Sequence, residues 1–260
     1  MELIRFRFEE EPLKRFAGLP ALLYGQDPNR FLLPDAGRFL NAENPFFSYG
    51  EHQNFLVVEG EKTLGRLTAS INPRFDRKIG FVGFFAAVAP IASRLLLEAG
   101  EAWLREKGCR EVWGPIDLTI WNGYRFVTRG HAKPVFFGEP HNLPTFPALF
   151  EQAGFRPIKE WISALGKGEL YPLAALISKP SYERANQAGY RFLSSNPAEL
   201  EGNLEIIHRL IMASYRDFLG FSPVELDEFR LLTEGLLPVI DPELVLIVTD
   251  PHDEPTAFSI

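Results

Sequence analysis

The sequence contains little that would support a disulfide, a metal site, a basic binding surface or a membrane span. Its one cysteine, Cys109, cannot form a disulfide within the chain, and neither Cys109 nor the five histidines show metal-ligand spacing. Lys and Arg number 27 against 34 Asp and Glu, so no basic excess exists to bind nucleic acid or an anionic membrane. The longest apolar run, Ile79–Ala89, is shorter than the roughly 18 to 20 residues that span a bilayer. We therefore expect no metal, nucleic-acid or membrane partner.

What remains is the composition of a globular protein, with 46% apolar and 23% charged residues in a chain of 260. That length accommodates one large domain or two of ordinary size. The opening residues, Met1–Glu11, lack the apolar core and cleavage pattern of a signal peptide. The sequence therefore predicts a cytoplasmic protein.

The first 165 residues show alternating strand and helix patterns. The pattern predicts a hairpin over Asn54–Ile71, a central strand over Ile79–Val88, a helix from Pro90 to Gly108, a strand over Glu111–Trp113, a helix with Phe146, Leu149, Phe150 and Ala153 on one face, and a closing strand over Ile158–Leu165. We expect Ile91, Leu95, Ala99 and Trp103 to form the buried face of the helix that begins at Pro90. These elements indicate an α/β domain with a mixed sheet over residues 1–168.

A second, shorter segment repeats the opening order of elements. The pattern predicts a strand at Tyr190–Leu193 and then a helix capped at Asn196. One face of that helix would carry Leu200, Leu204, Ile207, Ile211 and Phe218. A further helix is predicted to start at Ser222, and strands are predicted over Leu244–Thr249 and Pro255–Ile260. Aligning Ile260 with Ile71 gives an offset of 189 residues, which places Tyr190 opposite Met1. We interpret residues 186–260 as a partial second copy. Its last strand would leave an open sheet edge, to be covered by another part of the chain, a second subunit, or a further C-terminal segment.

Several motifs resemble the GCN5-related N-acetyltransferase (GNAT) superfamily. The most specific is Leu149-Phe150-Glu151-Gln152-Ala153-Gly154-Phe155-Arg156, which is similar to the last helix of that superfamily and its cap. Five others, Asn44–Phe47, Gly65–Leu67, Gly80–Phe85, Trp113–Ile116 and Pro140–Pro144, resemble a bacterial branch with two tandem GNAT-like units. The resemblance implies a GNAT-like fold and acyl transfer from acetyl-CoA or another acyl-CoA to a small-molecule amine.

The resemblance also implies where acyl-CoA would bind. The thioester would lie along the backbone of Phe84–Val88, with Phe85 and Val88 in contact, and the pyrophosphate near Ala89–Arg94, with Ser93 and Arg94 as side-chain contacts. The chain departs from the family there, because Val88–Ser93 contains no glycine and Pro90 removes an amide donor. The partial second copy ends before its equivalent loop and is expected not to bind coenzyme A.

The loop after the strand at Val112 supplies candidate site residues. The resemblance places substrate contacts here, for which Asp117, Thr119 and Trp121 are candidates, while Asn122 could hold a water or carbonyl and Tyr124 could protonate the leaving thiolate. The alternative is that Trp121 and Tyr124 only pack the loop and that Asn122 makes a turn.

A second candidate cluster lies just before the helix at Phe146. His141, flanked by Glu139, could act as a base beside a carboxylate, with Asn142 contacting substrate. The alternative is a helix-entry loop held by side-chain to backbone hydrogen bonds. Arg66 is expected to point outward from the hairpin, or else to meet an acidic ligand. The abundant phenylalanines are interpreted as core, with an apolar pocket or subunit contact as the alternative.

Two function classes follow. One is a CoA-dependent N-acyltransferase; the other is a catalytically inactive GNAT-fold module that binds a ligand or dimerises through the incomplete second sheet. No serine, histidine and acid pattern indicates a hydrolase.

Overall fold

The computed structural model describes residues 1–29, 33, 35–136, 138–166, 168–196, 199–236 and 238–260. The chain divides into two compact units. Unit 1 comprises Met1–Arg156 and Phe218–Pro223, and unit 2 comprises Pro157–Asp217 and Val224–Ile260. The predicted ranges 1–168 and 186–260 and the internal duplication stay predictions.

Unit 1 is a mixed five-stranded sheet with helices on both faces, which confirms the α/β class. Its elements are β1 (Glu2–Phe6), α1 (Glu10–Tyr24), α2 (Ala36–Phe39), β2 (Glu51–Glu59), β3 (Lys62–Ile71), β4 (Ile79–Ala87), α3 (Pro90–Glu106), β5 (Glu111–Trp113) and α4 (Phe146–Gln152). The strands lie in the order β1-β2-β3-β4-β5, antiparallel except for the parallel pair β4 and β5. A parallel pair requires a crossover connection, and α3 provides it.

Side chains along β2 and β3 alternate between two hydrophobic cores, one on each face of the sheet. Leu67 and Ala69 pack with α3, whereas Leu56 and Val58 of β2 pack with Phe16 of α1 on the other face. The expected helix face was partly wrong. Ile91 is exposed, whereas Ala92, Leu96, Ala99 and Trp103 are buried. These four residues recur at helical spacing and form the face toward the sheet, and Ile91 lies about 100° away from that face.

A bulge interrupts β4 in the middle of the sheet. Arg66 pairs with Ala86 and Thr68 with Gly83, so Phe84 and Phe85 together oppose Leu67. Phe84 has a φ of 46°, a left-handed conformation that costs free energy for a residue with a bulky side chain. Strained positions of this kind concentrate at functional sites. The residues around the bulge are therefore candidates for a functional site.

Unit 2 contains α5 (Tyr171–Gln187), β6 (Arg191–Ser194), α6 (Leu200–Ser214), α7 (Leu226–Thr233), β7 (Leu246–Thr249) and β8 (Pro255–Ser259). Its antiparallel sheet has the order β6-β7-β8. The two predicted hairpin strands are confirmed within two residues. Within the described residues, β8 pairs with β7 alone.

One predicted strand and two predicted helix boundaries in this part of the chain are wrong. No strand forms over Ile158–Leu165, where Ile158, Ile162 and Leu165 are exposed and no neighbouring strand among the described residues supplies hydrogen bonds. The helix α6 ends at Ser214, so Phe218 is not on its face. The helix α7 begins at Leu226, because a capping box of Glu225 and Glu228, rather than Ser222, provides its N-terminal hydrogen bonds.

Candidate functional site

A histidine and an aspartate from distant parts of the sequence meet in unit 1. His141 Nε2 lies 2.9 Å from Asp27 Oδ2, with side chains 13% and 27% exposed. The pKa of Asp27 is lowered, first by the backbone N–H of Asn29 and further by His141, so Asp27 is ionised at neutral pH. An ionised carboxylate only accepts hydrogen bonds, so Nε2 carries the proton and Nδ1 is the basic nitrogen of neutral His141.

Local hydrogen bonds hold the loop that carries His141. Asn142 Oδ1 accepts from Val127 N at 2.7 Å, and its Nδ2 donates to Val127 O and to Leu143 O. Glu139, the expected neighbour of His141, instead pairs with Arg125 at 2.9 Å. Asn142 therefore positions the loop, and Asp27 is the carboxylate that His141 contacts.

A buried tyrosine adjoins the pair. The ring centroids of Tyr24 and His141 are 5.4 Å apart. Burial raises the pKa of Tyr24 to about 12, so its phenol is protonated at neutral pH. Tyr24 also interacts electrostatically with Arg66 and Asp27, which links the His141–Asp27 pair to the sheet.

The carboxylate of Asp117, in the segment after β5, contacts the bulge of β4. The amide of Phe84 donates to Asp117 Oδ1. A Cβ at Gly83 would come within 2.6 Å of the same oxygen, so the carboxylate occupies space that any other residue at position 83 would fill. Burial raises the pKa of Asp117 to about 6, against the opposing effects of the Phe84 amide and of Arg66.

Arg66 is also buried, contrary to the expected outward orientation. Its Nη1 donates to Phe16 O at 2.9 Å, and its guanidinium lies over the Phe16 ring at 5.0 Å. Burial lowers the pKa of Arg66 to about 10, while Asp117, Tyr24 and Asp35 act in the opposite direction. Arg66 is buried because α1 covers the face of β3 on which it lies. With a pKa of about 10, its guanidinium is still charged at neutral pH.

The raised pKa of Asp117 predicts a pH-dependent stability. The unfolded carboxyl titrates near 3.8 and the folded one near 6, so the native state binds this proton more tightly. Its contribution to the unfolding free energy therefore falls by about 3 kcal/mol as pH rises from about 4 to about 6, and is constant above. Asp117→Asn keeps an acceptor for the Phe84 amide but does not titrate.

Urea unfolding of wild type and Asp117→Asn at several pH values measures this effect, because the difference cancels all other carboxylates. We expect the Asp117→Asn variant to gain stability relative to wild type as pH rises across that interval. Parallel curves would contradict the assignment.

The other candidates after β5 make structural contacts. Asn122 Nδ2 donates to Asp117 O, Thr119 Oγ1 accepts from Trp121 N, and Trp121 Nε1 donates to Ser222 O. Tyr124 packs edge-on to Phe218, with the Arg125 guanidinium 4.5 Å above its ring. The chemical roles of these residues stay predictions.

The expected acyl-CoA contacts are spread over different environments. Phe85 packs against Phe146 and Phe150 of α4. Val88 is half-exposed and donates its amide to Leu64 O, and Arg94 is exposed. The amides of Phe84 and Val88 are thus already bonded within the protein. The predicted thioester path along Phe84–Val88 therefore lacks these two donors.

The start of α3 has more free backbone donors for an anionic group than the thioester path along Phe84–Val88 has for a thioester. The first-turn amides of this 17-residue helix have no intrahelical acceptors, and the helix dipole favours negative charge there. Ser93 Oγ is buried without a hydrogen-bond partner in the described structure. Pro90 reduces the number of donors by one. The helix start thus offers fewer donors than a glycine-rich loop, and the pyrophosphate contacts of Ser93 and Arg94 stay predictions.

Sequence reasoning missed Tyr24 and Asp27. Asp27 is separated from His141 by 114 positions, and no local pattern links them. Across the residues that the structure describes, no group of three or more His, Cys, Asp or Glu side chains is placed to hold a metal ion. None of the helices described there is both long and apolar enough to cross a bilayer.

Two curated relatives align with most of the chain. A bacterial ceramide synthase from Caulobacter vibrioides is 27% identical over 244 residues, which is 90% of this chain and 62% of that protein. Protein YghO from Escherichia coli K12 is 23% identical over 265 residues, covering 99% of this chain and 67% of that protein. The chain thus spans about two thirds of the length of these relatives or slightly less. No family model matches the chain.

Two solved structures also align with 64% of the chain. An aminoglycoside acetyltransferase from an uncultured soil metagenomic sample, in complex with sisomicin, is 16% identical with a TM-score of 0.37 and is covered to 93%. YycN from Bacillus subtilis, a proposed acetyltransferase, is 15% identical with a TM-score of 0.37 and is covered to 99%.

Proposed function

We propose that the chain carries the catalytic residues of an N-acyltransferase that joins the acyl group of an acyl-CoA to an amine. The observation that carries this proposal is the His141–Asp27 pair, held at 2.9 Å with Nδ1 of His141 as its basic nitrogen. The similarity to a protein named a ceramide synthase supports it. A ceramide contains an acyl group in amide linkage, and forming that linkage is N-acylation.

In this proposal His141 is the general base. The amine nitrogen attacks the thioester carbonyl while Nδ1 takes the N–H proton, the C–S bond breaks, and the imidazolium returns the proton to the thiolate. Amine and thioester thus become amide and thiol. Asp27 stabilises the imidazolium, because its carboxylate accepts the hydrogen bond from Nε2.

A thiol-release assay tests the proposal. The purified chain is incubated with acetyl-, octanoyl- or palmitoyl-CoA and with glycine, ethanolamine, phosphoethanolamine or a long-chain amino alcohol. Free thiol is measured by absorbance and amide by mass spectrometry. We expect stoichiometric thiol and amide that require both substrates. Absence of amide with every pair would contradict N-acyl transfer.

A second candidate is a non-catalytic GNAT-fold module. It is favoured by Val88–Ser93, which contains no glycine, and by the Phe84 amide, which Asp117 already occupies. Thermal-shift titration with each acyl-CoA and with free coenzyme A separates the two, because ligand that binds only the native state raises the melting temperature. A module that has lost coenzyme A recognition should show no shift and no thiol release.

A further inference from the structure

Arg66 has fewer partners than a buried guanidinium requires. The side chain offers five N–H donors, yet among the described residues it makes one hydrogen bond, from Nη1 to Phe16 O. Its Nε is buried and has no acceptor there. Buried charges are normally paired and fully hydrogen-bonded, because removing a charge from water is costly.

The neighbouring acids do not supply the missing acceptor. Asp117 and Asp35 attract Arg66 electrostatically, but among the described residues neither carboxylate lies within 4.0 Å of the guanidinium. Asp117 Oδ1 accepts from the Phe84 amide instead. The guanidinium thus lies near a carboxylate without being neutralised by contact with it.

The position of Arg66 in the sheet separates it from the start of α3. Arg66 bonds to Phe16 of α1, whereas α3 packs on the opposite face, against Leu67 and Ala69. An anion at Arg66 is therefore a different group from a pyrophosphate at the first turn of α3. Tyr24, whose ring is next to His141, interacts electrostatically with Arg66.

We propose that Arg66 binds a carboxylate or phosphate group of the acceptor, so that the acceptor is an amine that also carries an oxyanion. Two N–H groups of a guanidinium match the two oxygens of such an anion. The negative group would lie at Arg66 and the amine would lie toward His141 and the Asp117 carboxylate. A zwitterion of this kind adds no net charge to the interior. This assignment of the ligand as acceptor rests on the proposed N-acyltransferase function.

Binding of three product analogues of equal chain length tests this proposal. The probes are N-octanoylglycine, with a carboxylate, N-octanoyl-phosphoethanolamine, with a phosphate, and N-octanoylethanolamine, which is neutral. Calorimetry and thermal shift give Kd for wild type, Arg66→Met and the control Arg105→Met, whose arginine is exposed on α3 and pairs with Glu101. We expect at least one anionic probe to bind wild type and Arg105→Met roughly 10-fold or more tightly than the neutral probe.

In Arg66→Met that preference should disappear. The unliganded melting temperature of this variant is expected to fall, because Asp117 stays buried without the nearby positive charge. Equal binding of all three probes, no binding of any, or a preserved preference in Arg66→Met would overturn the proposal. If Arg66→Met does not fold, the proposal is tested by the preference of the wild type for an anionic probe over the neutral probe. Arg66→Lys is then expected to weaken that preference.

The outcome is separable from that of the proposed function. Anion-dependent binding without thiol release from any acyl-CoA would support the anion site and count against N-acyl transfer. Thiol and amide formed as fast with ethanolamine as with glycine and phosphoethanolamine would support N-acyl transfer and overturn the anion site.

Discussion

Substitution of Gly83 by alanine is expected to destabilise unit 1 strongly. A Cβ at this position would lie 2.1 Å from Ile116 O, 2.5 Å from Ile116 C and 2.6 Å from Asp117 Oδ1. Two of these atoms are backbone, so no side-chain rotation relieves the clash. Ile116 cannot withdraw, because its amide donates to Val82 O and holds the chain after β5 against β4.

The expected loss is at least about 3 kcal/mol, at the upper end of overpacking effects and a large part of a typical folding free energy. Urea denaturation followed by circular dichroism measures it. Gly18→Ala is the matched control, since Gly18 lies in α1 with nothing within 4 Å of its Cβ position, and alanine favours a helix by about 1 kcal/mol. A variant at position 83 with wild-type stability would show that Asp117 does not lie over β4 as described.

Gly83 connects the fold to the candidate site. The close approach of Ile116 and Asp117 to β4 lets the Asp117 carboxylate accept the Phe84 amide at the bulge. The same carboxylate acts electrostatically on Arg66. Because Gly83 has no side chain, the buried Asp117 carboxylate can lie close to the buried Arg66 guanidinium.

The sequence predicts the framework of unit 1 well, because apolar periodicity records which face of an element is buried. The hairpin, β4, the crossover helix and α4 all lie where the pattern predicts them. Gly154, in the motif that resembles the last helix and its cap, has a φ of 94°, the left-handed conformation typical of a helix C-terminus. Local patterns are sufficient for these elements, since each is determined by residues a few positions apart.

Buried polar residues are harder to predict. On β3, Arg66, Thr68 and Ser70 alternate with apolar residues, which ordinarily indicates a solvent-facing side. That side is covered by α1 and by the segment before β2, so all three residues are buried. Alternation cannot show that a polar face has a covering layer, which explains why Arg66 was expected to point outward.

The acid partner of His141 shows the same limit for the site. Glu139 is close in sequence but pairs with Arg125, whereas Asp27 follows α1 and contacts His141 only because the fold brings the two segments together. Which carboxylate contacts a histidine depends on how distant segments pack, and one sequence contains no local record of it.

Replacement of His141 by glutamine is expected to reduce N-acyl transfer by roughly 100-fold to 10,000-fold, the range for removing a general base. Glutamine is similar in length and can still donate an N–H to Asp27, so the loop that Asn142 holds should stay folded. Initial rates of thiol release at saturating amine and acyl-CoA measure the change. Melting temperature serves as the control for folding.

Asp27→Asn separates the role of the base from that of its partner. An asparagine amide can donate to Nε2, which would place the imidazole proton on Nδ1 and remove the basic nitrogen from its position. We therefore expect a large decrease in turnover with the histidine still present, and little further decrease when His141→Gln is added, because the two residues act as one unit. His208→Gln, in α6 of unit 2, is the matched histidine control. If His141→Gln and Asp27→Asn retained full turnover, the pair would be a structural link between α1 and the loop before α4, and the general base would have to be sought at Asp117, whose pKa near 6 leaves it mostly ionised at neutral pH.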